Sequence, residues 1–268
     1  ANAGAHPFTL TTSRTTQYES TSLDGDWQVR FSSSSGFTEN LGQFGDPSVQ
    51  FYASGPHGYI AFQDRSVLLN IEEPVSGERT RAGEESNWDE GAPFPPLRSS
   101  RGPVTYGSTV RLSFSGADEV TPEGRERLNE YSNYFLGDDP TRWGTRVPSY
   151  REVVYADLYQ GIDLVYREEG QRIKYEYIVH PGADPSRIIT RVEGHDSLQV
   201  ADGNLVISTK AGEITDSGLD VFYLDGLQEK VPCEFELVNH DTYGFRLSHY
   251  DRSRTLVIDP LVYATYFG

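Results

Sequence analysis

The chain has 268 residues, enough for one large β domain or two smaller ones, and with 36% hydrophobic and 12% aromatic residues its core must be built largely from rings. A formal net charge of −17 repels polyanions, so nucleic acid and anionic lipid headgroups are excluded as partners. The single cysteine, Cys233, excludes an internal disulfide and a cysteine-based zinc site, and no apolar run reaches the ~18 residues of a membrane-spanning segment, so no membrane insertion is expected.

Residues 1–35 differ from the rest in being dominated by Thr, Ser and Gln. Two pieces alternate at the strand period, Phe8-Thr9-Leu10-Thr11 and Trp27-Gln28-Val29-Arg30-Phe31. Phe8, Leu10, Val29 and Phe31 therefore repeat along one face, as a docking strand requires. A Ser-rich run at 32–35 ahead of Gly36 has the composition of a flexible linker. The segment reads as an extended N-terminal arm. The chain contains no Met and starts Ala1-Asn2-Ala3-Gly4, which reads as a mature N-terminus left after a signal peptide is removed. That predicts an extracellular or cell-surface location.

From residue 36 onward, short strand-like runs recur every ~8–12 residues between turn signals. Val49-Gln-Phe-Tyr-Ala53 and Tyr59-Ile-Ala-Phe62 flank a Gly-Pro-His-Gly turn, and residues 67–71 continue the pattern. Residues 72–107 are acidic, rich in Pro and Gly and without periodicity, which predicts an exposed insertion that only Trp88 and Phe94 can anchor. Residues 106–115 alternate cleanly, with Val110, Leu112 and Phe114 on one face. A short helical turn is expected near residues 122–129. Next comes the most aromatic stretch, residues 129–166, which reads as the seam of the fold, with Trp143, Tyr150, Tyr159 and Asp163 as its structural residues.

Beyond the seam, Glu168-Glu169-Gly170 reads as a hairpin tip, and Ile173, Tyr175, Tyr177 and Val179 share a face. Residues 184–187 suit a helical corner. Ala201-Asp-Gly-Asn204 is a hairpin turn between Leu198-Gln-Val200 and Leu205-Val-Ile207. Further strands follow around residues 221–224, 231–238, 243–247, 255–258 and 261–267. The fold class is therefore all-β: two packed β-sandwich or barrel-like subdomains, at residues 36–150 and 151–268, with the arm at 1–35 in front.

No residue pattern points to catalysis. Adjacent strand residues such as Glu168 and Glu169 point to opposite faces and cannot flank one scissile bond. Asp24-Gly25-Asp26 and Asp138-Asp139-Pro140 lack the ligand spacing of a calcium loop. The six histidines are scattered, and neither an H-E-x-x-H run nor a G-x-S-x-G elbow is present. No catalytic, cofactor or metal residue is assigned, and Cys233 beside Pro232 reads as a small hydrophobe.

An ordered series of small motifs resembles a known family. It begins with Phe37-Thr-Glu-Asn40 and Gly42-Gln43, and continues with Asn133-Tyr-Phe-Leu-Gly137 and Trp143 followed by Val147-Pro148-Ser-Tyr150. Then come Val154-Tyr, Leu158-Tyr-Gln-Gly161-Ile-Asp-Leu-Val-Tyr166, Tyr177 with Val179, and Pro181-Gly-Ala-Asp-Pro-Ser-Arg-Ile188. The last are Leu256-Val-Ile-Asp-Pro260 and Leu261-Val-Tyr-Ala-Thr-Tyr-Phe-Gly268. Over residues 37–268 the chain resembles the β-rich domain of unknown function that precedes seven-bladed-propeller-type (SBBP) repeats in secreted bacterial and archaeal proteins. Residues 1–35 fall outside the likeness. The sequence stops where such repeats would begin, which suits either a stand-alone domain or one separated from its repeats. The resemblance implies a role outside the cell and no particular chemistry.

The expected function is a non-enzymatic structural or assembly module, associating with other copies of itself by strand addition into a filament. A glycan- or matrix-binding module, using Trp27, Trp88 or Trp143 as a stacking platform, is the alternative. A carbohydrate-active hydrolase is the third reading, with no residue pair to carry it.

Overall fold

A computed structural model describes residues 27–29, 36–55, 58–72, 107–134, 144–169, 172–225 and 229–266. Phe8, Leu10, Phe31, Trp88, Phe94, Asp138, Asp139 and Trp143 lie outside the described residues.

Among the described residues the regular structure is strand throughout, apart from one short 3-10 turn at Pro185–Arg187. The first strands are β1 (Trp27–Val29), β2 (Phe37–Glu39), β3 (Val49–Gly55), β4 (Gly58–Gln63), β5 (Ser66–Glu72) and β6 (Gly107–Phe114). Four long strands follow: β7 (Glu123–Tyr134), β8 (Gly144–Tyr159), β9 (Ile162–Glu169) and β10 (Arg172–Val179). The remainder are β11 (Ile189–Glu193), β12 (Ser197–Ala201), β13 (Asn204–Thr209), β14 (Gly212–Tyr223), β15 (Cys233–Asn239), β16 (Thr242–Leu247) and β17 (Leu256–Tyr266).

Strand β8 organises the pairing. Along one edge it carries β7. Its other edge is divided, since Ser149 and Tyr150 pair with β2 while residues 152–159 pair with β9. Two layers diverge from this division. One runs β9, β10, β17, β14, β13, β12. The other runs β2, β3, β4, β5, β6, β11, β16, β15. Their far ends approach each other: Lys230 bridges to Phe222, the Val231 N–H donates to the Val221 carbonyl at 2.8 Å, and β15 lies beside β12. The result is one nearly closed, barrel-like sheet, flattened so that two layers face each other.

The all-β expectation is what the structure shows, and its two packed layers meet along the seam strand. Residue 150 falls inside β8, and β11, β16 and β15 from the later half complete the layer begun by β2–β6. The expected helical turn near residues 122–129 is not there: β7 occupies it as a strand. The segment pairs with β8 from Glu123 to Tyr134, across two register shifts, and local propensity yields to that pairing.

Rings fill the space between the layers. Phe62 of β4 meets Tyr166 of β9 edge-on at 4.9 Å, Phe114 of β6 meets Tyr155 of β8 at 5.5 Å, and Tyr177 of β10 meets Phe245 of β16 at 5.9 Å. Each such pair adds about 0.5–1.5 kcal/mol beyond the area it buries. Strand alternation delivers them: Ile173, Tyr175, Tyr177 and Val179 are all buried on one face of β10. The β12–β13 hairpin turns on Asp202 and Gly203, both at positive φ (51° and 80°), which is the two-residue turn that matches strand twist.

Candidate functional site

Three of the seam residues can be placed. Tyr159 is fully buried in β8, and its hydroxyl donates to the Ile189 carbonyl at 3.1 Å, tying the seam to the start of β11. Burial pushes that hydroxyl up to about 12, so it remains a donor. Tyr150 lies edge-on to Phe51 at 5.6 Å and donates to Glu39 Oε2 at 3.0 Å. Its ring also lies flat over Gly124 of β7, where a Cβ would stand 2.6 Å from the ring carbon Cγ. Only glycine fits beneath it.

Asp163 acts as a lock on the β8–β9 turn. One oxygen accepts the Asp157 N–H at 2.7 Å and the other meets His180 Nε2 at 2.9 Å. Asp157 in turn accepts the Gly161 N–H at 3.0 Å. Of the expected docking residues only Val29 falls within the described residues, in β1, opposite Ala264 at the far end of β17.

The motifs singled out in the sequence prove to be locks of the same kind. The Asn40 side chain donates to the carbonyls of Asp46 and Val49 at 2.9 and 2.8 Å and accepts the N–H groups of Gly42 and Phe44 at 3.0 and 3.1 Å. One amide thus supplies all the bonds it can make to a single loop. The neighbouring Gln43 is buried; it donates to the Glu39 carbonyl at 2.5 Å and accepts the Leu41 N–H at 2.8 Å. Asp184 accepts from Ser186 at the start of the expected corner, a cap that holds its carboxyl below the ordinary value.

One buried group does not have this local role. Asp216 of β14 stands in the inward frame Gly212, Ile214, Asp216, where alternation calls for a hydrophobe. It accepts a short hydrogen bond from the Tyr175 hydroxyl on Oδ2, while its Oδ1 is buried without a hydrogen-bond partner. Burial raises its carboxyl from 3.8 to about 7, against the opposing Tyr175 bond and helped by the nearby Asp259 charge. Tyr243 of β16 is in hydrogen-bond contact with both Tyr175 and Thr190, so the polar chain crosses from one layer to the other. A cavity of ≈ 30 Å³ adjoins it, lined by Asp216, Tyr166, Tyr175, Tyr243 and aliphatic side chains. That is room for a water molecule, and the unpartnered oxygen gives one a place to bind. In the sequence the one sign of Asp216 is an acid in an otherwise apolar inward frame.

Burial pushes the Cys233 thiol up to about 12, far from the thiolate a nucleophile needs. Among the described residues no group of three His, Cys, Asp or Glu side chains converges as metal ligands.

The profile of a domain of unknown function, DUF7948, matches residues 37–261. No curated protein and no solved structure matches the chain.

Proposed function

The chain belongs to the DUF7948 family of domains of unknown function, and we propose that it serves as a non-enzymatic structural and assembly module, outside the cell or on its surface. The observation that carries this reading is how the motif residues spend their polar atoms. Asn40, Gln43, Asp163 and Asp184 direct theirs at neighbouring backbone, side-chain and turn groups within the fold. A catalytic site instead leaves acids, bases or donors converging on an open position. The resemblance to domains that precede SBBP repeats supports the extracellular placement.

Self-association through the arm is the specific form proposed. Strand β17 shares one edge between β10, at residues 256–258, and β1, at residues 264–266. That edge accepts an extended segment, and the same register is open in principle to the arm of a second copy, with Phe8, Leu10, Val29 and Phe31 filling alternate positions. Exchange of this sort is head-to-tail and does not close, so it grows into a filament. The test compares the full chain with a variant lacking residues 1–35 by size-exclusion chromatography with light scattering and by negative-stain microscopy. The expected result is concentration-dependent oligomers from the full chain and monomers from the variant. A full chain that stays monomeric at high concentration overturns the proposal.

A further inference from the structure

Between β10 and β17 three side chains stand in an arrangement that an ordinary ion pair does not require. Lys174 Nζ lies 2.7 Å from Asp259 Oδ2 and 3.6 Å from Glu176 Oε1. The three side chains are only 22%, 11% and 14% exposed, respectively. The second oxygen of Asp259 is buried with no hydrogen-bond partner. Glu176 is steadied from its other side by Arg167, whose Nη2 is 3.6 Å from Glu176 Oε2 and whose Nε is 3.1 Å from Glu152 Oε1. On the far side of β17, Asp220 faces Asp259 in register and is itself paired with Lys230 at 2.9 Å.

The choice of lysine is informative. The chain has lysine only at positions 174, 210 and 230, the other 20 of its 23 lysine and arginine residues being arginine. A guanidinium makes the better buried ion pair, because its planar fork bonds a carboxylate twice. An amine does what a guanidinium does not: once it loses a proton it attacks a carboxyl carbon. Burial, despite the adjacent Lys174 charge, raises the Asp259 carboxyl above its ordinary range. The neutral acid is the electrophilic form.

We propose that Lys174 and Asp259 are joined in the folded chain by an isopeptide bond, an amide between Lys174 Nζ and Asp259 Cγ, formed with Glu176 as the proton carrier. Glu176 accepts a proton from the Lys174 ammonium, and the freed amine adds to Asp259 Cγ, making the N–C bond. The bond from Cγ to one carboxyl oxygen breaks. The two protons that Lys174 gives up in all leave on that oxygen, by way of Glu176, as one water. Ammonium and carboxylate become amide and water, with no change of oxidation state and no co-reactant. Two dilute partners in water would not condense this way. Groups held in contact reach effective concentrations of about 10⁵–10⁸ M, and a site largely closed to water does not readily return the one it expels. This inference is independent of the assembly reading.

Intact-mass spectrometry of the purified full chain tests it. The expected mass is that of the sequence less one water, and proteolysis should release a branched peptide joining the segments of Lys174 and Asp259. Lys174→Arg and Glu176→Gln should each restore the full mass. A parent chain at full mass overturns the proposal whatever the variants do. So does a water lost elsewhere, as a cyclic imide at Asp202-Gly203 or Asp225-Gly226. A Glu176→Gln chain that is still one water light overturns the role given to Glu176.

Discussion

Asp216 is the residue whose titration reaches furthest into the stability of the molecule. Its carboxyl moves from 3.8 to about 7 on burial, so between those values the native state holds a proton that the unfolded chain has released. Stability therefore falls as pH rises through that window, and the penalty is complete above it. At about 1.4 kcal/mol per unit the upper bound is about 4 kcal/mol. Asp184 acts in the opposite sense, because its lowered carboxyl contributes stability that is lost as pH falls through the acid range. A stability maximum on the mildly acidic side of neutral is expected. Urea unfolding should give a higher midpoint at pH 5 than at pH 8, and Asp216→Asn should narrow that gap by raising the pH 8 value. An unchanged gap in the variant would assign the slope to another group.

At the level of elements, the loop from Asn40 to Val49 takes four of its hydrogen bonds from one amide, that of Asn40. Replacing Asn40 with Ala removes four hydrogen bonds from a part-buried loop, and should cost about 2–3 kcal/mol. Asn40→Asp separates the two halves of the role. It keeps the bonds accepted from Gly42 and Phe44 but cannot donate to Asp46 and Val49, so its melting temperature should fall between those of the parent and the alanine variant. Such loops show how far a sequence can be read. Strand positions were legible where apolar residues alternate, as in β10, β6 and the β12–β13 hairpin. Turn chemistry was legible at Asp202-Gly203 and at the corner after Asp184. What stayed hidden depended on pairing across long separations. Strand β7 looks helical in isolation because only β8 makes it a strand. Asp216 matters only because Tyr175 and Tyr243 arrive beside it from two other strands. Lys174 and Asp259 meet although they stand 85 positions apart in the chain, and no local window contains both.

For the whole molecule, the sequence indicated an all-β fold with an aromatic seam, and the structure adds that both layers grow from one divided strand, β8. The chain carries a net charge of −17, which favours solubility without contributing to the fold itself. The position of β17 has a further consequence, in time rather than in space. Strand β17 lies between β10 and β14, and β9, β10, β13 and β14 are all synthesised before it. Until residue 256 onward leaves the ribosome, β10 and β14 each present an unpaired inner edge, and Tyr177 and Val221 have no Ile258 between them. The layer cannot close from the front of the chain backward; it waits for its centre to be made last. Folding should accordingly be slow, on the scale of milliseconds to seconds typical of non-local β pairing. Chains ending before Leu256 should not fold at all, remaining soluble only while something covers those two edges. Limited proteolysis of chains ending at residue 255 and at residue 266 makes the comparison directly. Rapid digestion of the shorter and resistance of the longer are expected, and equal resistance would mean that the layer closes without its central strand.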